Sequence, residues 1–203
     1  ADVEGSDAAD KIAILSGLAF GGSINRSNIP TTGINHLEAV DVNYARKLGY
    51  GIKLLAISEK DKSPSKTEGS QPLSIWVEPT LVPEDNPLAG VNGVNNAILV
   101  EGNPIGQVMF FGPGAGSGPT ASAVCADLID IARNVNFLTF GVSAKTLKAA
   151  KTIPMGLHKG AYYVRLMVID QPGIFADVAT VLRDNEVSME SILQHGRQPG
   201  EAV

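Results

Sequence analysis

Apolar positions recur at helical spacing over residues 7–20, where Asp7, Lys11, Ile14 and Leu18 follow one line along the surface and Ala8, Ile12, Leu15 and Ala19 lie beside it. That helix is nearly all apolar beyond its first turn, and Gly21-Gly22 ends it. The pattern predicts a second helix over residues 36–48 and a strand over 51–58. Residues 60–71 are polar without period and predict a hairpin loop. Strands are expected over 73–82, 96–101 and 106–111, the last two joined by Gly102-Asn103-Pro104-Ile105. Strands closed by a terminal helix predict an α+β domain. Residues 145–160 carry little beyond a short helical piece and read as a connection. Beyond them a strand is expected over 162–169 and a helix over 173–184.

Composition narrows the class without naming it. The chain is 44% hydrophobic and 18% charged, as an ordinary soluble globular protein is, and its net charge of −5 offers nothing to nucleic acid or an anionic membrane. No apolar run approaches the roughly 18 residues needed to span a bilayer, and the acidic start does not resemble a secretory signal. A cytoplasmic location is therefore expected. Cys125 is the single cysteine, and its place in the pattern Val124, Leu128, Ile131 predicts a small buried filler. None of His36, His158 and His195 stands near it in a recognisable catalytic motif, and no metal site is assigned.

One feature of the first helix asks for a reason. Asp7 and Lys11 are one turn apart, in line with Ile14 and Leu18 on a face that reads as buried. An exposed ion pair worth a few tenths of a kcal/mol is one explanation. The string that contains the pair supplies another. Asp2-Val3-Glu4-Gly5-Ser6-Asp7-Ala8-Ala9-Asp10-Lys11 closely resembles the D-x-x-G-x-D-A-x-x-K signature of homoserine dehydrogenases.

The resemblance extends along about four fifths of the chain. NYARKLGYGIKLLAI (residues 43–57) is similar to that family's helix-to-strand segment, and NPLAGVNGVNNAILV (86–100) to its central-sheet segment. GPGAGSGPTASAVCADLIDIAR (112–133) resembles its closing glycine loop and final helix. Residues 162–197, with the turn Asp170-Gln171-Pro172-Gly173-Ile174-Phe175, resemble the start of an ACT-type regulatory module. The fold implied is α+β, a mixed sheet covered by helices, followed by a partial ferredoxin-like ACT module. Its parts would be a catalytic and dimerisation domain over 1–137, a linker over 138–160 and the module over 161–203. The family is expected to begin with a dinucleotide-binding domain, and an ACT module to continue past its second strand. The chain thus reads as an internal piece of a longer enzyme.

The activity implied is reversible, NADP- or NAD-dependent interconversion of L-homoserine and L-aspartate 4-semialdehyde, in the biosynthesis of threonine, methionine and isoleucine. In the family the residue matching Lys11 transfers the proton. An ammonium there can donate to the carbonyl oxygen and lends positive charge to the developing alkoxide. For the reverse step it must first be neutral, which partial burial would favour by lowering its pKa from about 10.4. The resemblance gives Asp7 the role of holding Lys11 and binding the substrate's polar end, and places Asp2 near the substrate amine. Asp10 and Glu4 read as solvated. In Gly112-Pro113-Gly114-Ala115-Gly116, a loop between strand and helix, backbone amides can approach an anion or a flat ring closely. A tight structural turn explains that spacing equally well, since it is not G-x-G-x-x-G. The resemblance implies that Gly114, Ala115 and above all Gly116 touch the nicotinamide end of the cofactor, while Thr120 is a candidate cap of the helix.

Asp170, Gly173 and Ile174 mark the turn where a regulatory amino acid such as threonine would lie. A homodimer or homotetramer is expected, because so apolar a sheet with one helix layer needs its other face covered. The choice between NAD and NADP lies outside these residues. The competing reading is a non-catalytic amino-acid-binding regulatory protein built on the same fold. Retention of both Asp7 and Lys11 argues against it, since a sensor has no need of a proton-transfer pair.

Overall fold

The computed structural model describes residues 1–61, 72–133, 135, 143–169 and 171–194. Helix α1 (Ser6–Phe20) and helix α2 (Ala39–Lys47) precede a long hairpin of β1 (Tyr50–Lys60) and β2 (Leu73–Pro83). A second hairpin, β3 (Asn95–Gly102) and β4 (Gly106–Pro113), leads into α3 (Ser117–Ala132), and α4 (Ile174–Asp184) lies near the C-terminus. β1 and β2 pair antiparallel along their whole length, from Tyr50 opposite Pro83 to Lys60 opposite Leu73. Residues 62–71, most of the expected hairpin loop, lie outside the described residues.

Side chains alternate across a strand, so Leu73, Ile75 and Val77 share one face of β2. They form the core with Ala9 and Ile12 of α1 and with Ile29. Trp76 points to the opposite face, where the His158 ring covers it at 4.4 Å between centroids. The outer edge of β2 is also covered, as an edge must be if it is not to template unwanted pairing. Val77 exchanges backbone hydrogen bonds with Pro30 and Thr32, and Leu73 with Lys151 and Ile153. Ser23 is bridged to Ala149 in the same manner. Residues 148–153, within the span expected as a linker, are therefore hydrogen-bonded to the first hairpin and to the segment after α1.

The start of α2 is held by a buried carboxylate. Asp41, 5% exposed, accepts the Glu38 amide at 2.9 Å while the Glu38 side chain returns the favour at the third helical residue, which closes a capping box. The helix therefore begins at Ala39, and His36 lies in the turn before it. Asp41 also accepts the Tyr163 hydroxyl at 3.0 Å and Arg165 Nε at 2.9 Å, and Arg165 reaches Glu38 at 3.0 Å.

Several expectations are corrected. The mixed sheet is two separate antiparallel hairpins, with parallel pairing confined to isolated bridges. Periodicity specifies a strand's faces but not its neighbours. Residues 162–168 are extended without a ladder among the described residues, so the expected strand is not paired there. A strand needs a partner to satisfy its amides, and none of the described residues supplies one. α4 does form where expected. Cys125 is exposed rather than buried, with Val124, Leu128 and Ile131 of the same helix. The α3 pattern marks a face built to be covered, and no other described element covers it.

The line Asp7, Lys11, Ile14, Leu18 is likewise the outer face of α1. Ile14 is 60% and Leu18 46% exposed, whereas Ile12 is at 9% and Ala9 at 0%. Ile12→Ala is expected to lower the unfolding free energy of this chain by about 2–5 kcal/mol in urea denaturation. Ile14→Ala is expected to change it by less than about 0.5 kcal/mol. Equal losses would put both residues in the core and refute the face assignment.

Burial first, then the hydrogen bond to Asp41 and its charge, push the Tyr163 phenol up to about 12 from 10.0. A folded value above the ordinary one means that protonated Tyr163 contributes its full stability below pH 10 and loses it as pH climbs toward 12. Urea midpoints of the wild-type chain should fall more steeply across that window than those of Tyr163→Phe. Parallel curves would show that the contact does not contribute.

Candidate active site

The motif glycine has a structural cause. Gly5 precedes α1 at φ +80°, a left-handed conformation, and a Cβ there would lie 3.1 Å from Thr31 Cγ2 and 3.2 Å from Val77 Cγ1. The preceding residues form a turn in which the Gly5 amide donates to the Asp2 carbonyl at 3.2 Å and the Ser6 amide to Ala1 at 3.1 Å. Asp2, although exposed, thus sits on a hydrogen-bonded turn that leads straight into α1.

One turn along the helix, Lys11 Nζ lies 2.6 Å from Asp7 Oδ2. Their side chains are 56% and 46% exposed, so the burial expected around the amine is not supplied by the described residues. The structure brings Asp7 and Lys11 together, with Asp2 on the adjoining turn. Asp10 is not merely solvated: it pairs with Arg26 at 2.7 Å, and Arg26 also reaches the Ser6 carbonyl at 3.4 Å. Arg26 therefore pins the first turn of α1. No local pattern marked it, because the contact spans sixteen residues of sequence.

A second residue missed by sequence reasoning is Gly33. Its backbone lies directly on the Val3–Glu4 peptide, where a Cβ would fall 2.7 Å from Glu4 Cα and closer still to the Val3 oxygen. The next amide, that of Ile34, donates to the Val3 carbonyl at 2.9 Å. Residues 33–34 thus brace the turn that carries Asp2.

The glycine loop is built separately. The Gly114 amide donates to Val94 at 2.8 Å, and Gly116 adopts φ +117° immediately before α3. Thr120 is inside that helix, its hydroxyl donating to the Gly116 carbonyl at 2.9 Å, so it closes the first turn instead of capping it. Beside the loop, Ala97, Ile98, Phe110 and Phe111 line a shallow cleft of about 250 Å³. No hydrogen bond or ion pair joins the loop to α1 among the described residues. Of the regulatory candidates, Gly173 takes φ +98° at the start of α4 and Ile174 is that helix's first residue, while Asp170 lies outside the described residues.

The family profile described as homoserine dehydrogenase matches residues 1–129. The chain belongs to the homoserine dehydrogenase family. It is 42% identical to the homoserine dehydrogenase of Synechocystis sp. over 98% of this chain and 47% of that protein. It is 40% identical to that of Pseudomonas aeruginosa over 95% of this chain and 44% of that protein. The crystal structure of a homoserine dehydrogenase from Thiobacillus denitrificans superposes with a TM-score of 0.84 at 39% identity, covering 95% of this chain and 44% of the other. The chain spans less than half the length of these relatives.

In a homoserine dehydrogenase chain braced this way, Gly33→Ala cannot be accommodated by rotating a side chain, since the obstructing atoms are backbone. It is expected to destabilise this chain by about 1–3 kcal/mol in urea denaturation. An unchanged midpoint would show that the Val3–Glu4 turn yields freely.

Proposed function

We propose that this chain is the catalytic part of a homoserine dehydrogenase, which interconverts L-homoserine and L-aspartate 4-semialdehyde with NADP or NAD. The observation that carries this reading is the Asp7–Lys11 contact of 2.6 Å, inside a segment that matches the family over residues 1–129. Lys11 moves the proton at the substrate oxygen, and its positive charge stabilises alkoxide character as it develops. Asp7 fixes the amine through the short contact and offers its second oxygen to the substrate's polar end. Asp2, on the turn before α1, faces the substrate ammonium with a second carboxylate.

The exposed stripe of Lys11, Ile14 and Leu18 is the face onto which a nucleotide-binding domain would close. Closure would remove water from around the amine and complete the desolvation that the described residues leave undone. Gly114, Ala115 and Gly116 are read as meeting the nicotinamide end of the cofactor, with Gly114 lining the apolar cleft beside Ile98 and Phe110. When bound, the nicotinamide supplies the hydride chemistry, and the protein's task is to align and protonate. The exposed apolar residues of α3 and of the second hairpin, Phe110 and Ile129 among them, support assembly as a homodimer or homotetramer. Residues 161–203 are read as the start of an ACT-type module, with Gly173 and Ile174 on the turn that would meet an effector such as threonine. A cytoplasmic setting suits such an enzyme, and no helix among the described residues is long and apolar enough to cross a membrane.

The test is homoserine-dependent nicotinamide reduction by the full-length protein that carries this chain, beside its folded Lys11→Ala variant. A loss of about 100-fold or more in kcat is expected, the range for removing a positioned proton donor. Undiminished turnover would move the proton transfer elsewhere. An inactive wild-type protein would favour the amino-acid-binding regulatory reading.

A further inference from the structure

The C-terminal segment around residues 158–165 meets the first domain on Trp76 of β2 and at the start of α2; the second contact lies at one end of the segment that braces the substrate turn, and the residue next to Trp76 holds the other end. On β2, the His158 ring packs on Trp76 with centroids 4.4 Å apart, and Tyr162 Oη lies 3.0 Å from His158 Nδ1. The neighbouring Val77 exchanges hydrogen bonds with Pro30 and Thr32 and packs against the position of Gly5. At the start of α2, Tyr163 and Arg165 hold Asp41 and Glu38. Residues 30–38 are therefore held by Val77 of β2 at one end and by Arg165, through Glu38, at the other, and between these contacts Gly33 and Ile34 press on Val3 and Glu4.

Asp41 is the tighter of the two junctions. It is 5% exposed, and its carboxylate takes donors from two stretches of chain far apart in sequence: the Glu38 amide locally, and the Tyr163 hydroxyl and Arg165 guanidinium from the C-terminal segment. A buried carboxylate that loses a charged donor must relax toward water or toward another partner. Either movement would slacken the Glu38 amide and the turn that runs from Ile34, where the Leu37 amide donates to the Ile34 carbonyl at 3.1 Å.

We propose that Asp41 is a positioning residue for the substrate turn, clamped by Tyr163 and Arg165, so that docking of the C-terminal segment sets the placement of Asp2 and of the start of α1. This rests on the reading of Asp2 and Asp7 as substrate carboxylates. None of these residues touches the substrate; they act through the brace at Gly33 and Ile34. An effector that pulls residues 158–165 away from the first domain would thereby weaken homoserine binding without contacting the site.

Trp76 is the one tryptophan of this chain, and in the full-length protein its signal is isolated as the difference from a Trp76→Phe background. In the full-length protein, Arg165→Gln should raise the KM for homoserine about tenfold while leaving kcat within about twofold, the signature of a misplaced binding group. Acrylamide quenching of Trp76 should rise in parallel. Tyr163→Phe, which removes a single hydroxyl, should shift both readouts in the same direction by less, and it preserves the test should Arg165→Gln not fold. Arg183→Gln, at an exposed pair with Asp184 on α4, should change neither. A rise in Trp76 quenching with an unchanged KM would reduce the segment to a structural strap and overturn the proposal. Unchanged quenching would overturn it at an earlier step, because the latch would then not hold the segment. If Lys11→Ala abolishes turnover while Arg165→Gln leaves KM untouched, only the positioning role fails. If wild-type protein does not oxidise homoserine, the functional reading beneath it fails instead.

Discussion

The packing of Ala9 and Ile12 against Leu73, Ile75 and Val77 is the contact on which the rest of this chain depends. It fixes the rotation of α1 about its axis, and that rotation alone decides that Asp7 and Lys11 point outward. The same contact sets how closely the chain before α1 approaches β2, which leaves at residue 5 a space only glycine fills at a left-handed φ. The small Ala9 lets the helix sit close to the strand, and Ile12 one turn on fills the gap beside Ile29. Burial of an aliphatic side chain at such a contact is worth about 1.5–3 kcal/mol, whereas an exposed Asp–Lys pair contributes at most about 1 kcal/mol. Core packing therefore dictates where the candidate chemistry stands, and the ion pair follows.

A second constraint is the outer edge of β2. Two separate stretches of chain, around Thr31 and around Thr152, bridge to it in parallel. The first turns that coverage to use, since the segment bonded to Val77 continues into Gly33 and Ile34 and supports the turn with Asp2. The second ties residues beyond α3 back to the first hairpin. On the other face, Trp76 is covered by His158 and α2 is clamped by Tyr163 and Arg165. The first hairpin thus carries the candidate catalytic helix on one side and the C-terminal segment on the other, with one braced segment touching both.

The second hairpin and α3 are organised differently. Their apolar side chains, among them Phe110, Phe111, Leu128 and Ile131, are exposed in this chain. A face of that kind is stable only when another surface removes it from water. The outer stripe of α1 has the same character, with Ile14 and Leu18 exposed beside the Asp7–Lys11 pair. Both fit a chain that spans less than half the length of its relatives.

Local signals in the sequence determined the elements. Helical spacing placed α1 and α4, alternation placed the four strands, and the Asp2 to Lys11 string carried the family and its candidate residues, because each of these is set by neighbours within a few positions. Only the tertiary structure decided which face of α1 is buried, since Ile12 and Ile14 are equally apolar and a helix nearly apolar all round does not reveal its own orientation. It also decided that the strands form two hairpins and not one mixed sheet, that Cys125 is exposed, and that Arg26 meets Asp10, Gly33 the Val3–Glu4 peptide, and Arg165 Asp41. Those three contacts join residues distant in the chain. Such contacts arise from how packed elements come to rest against one another, and no periodicity along a single element encodes them.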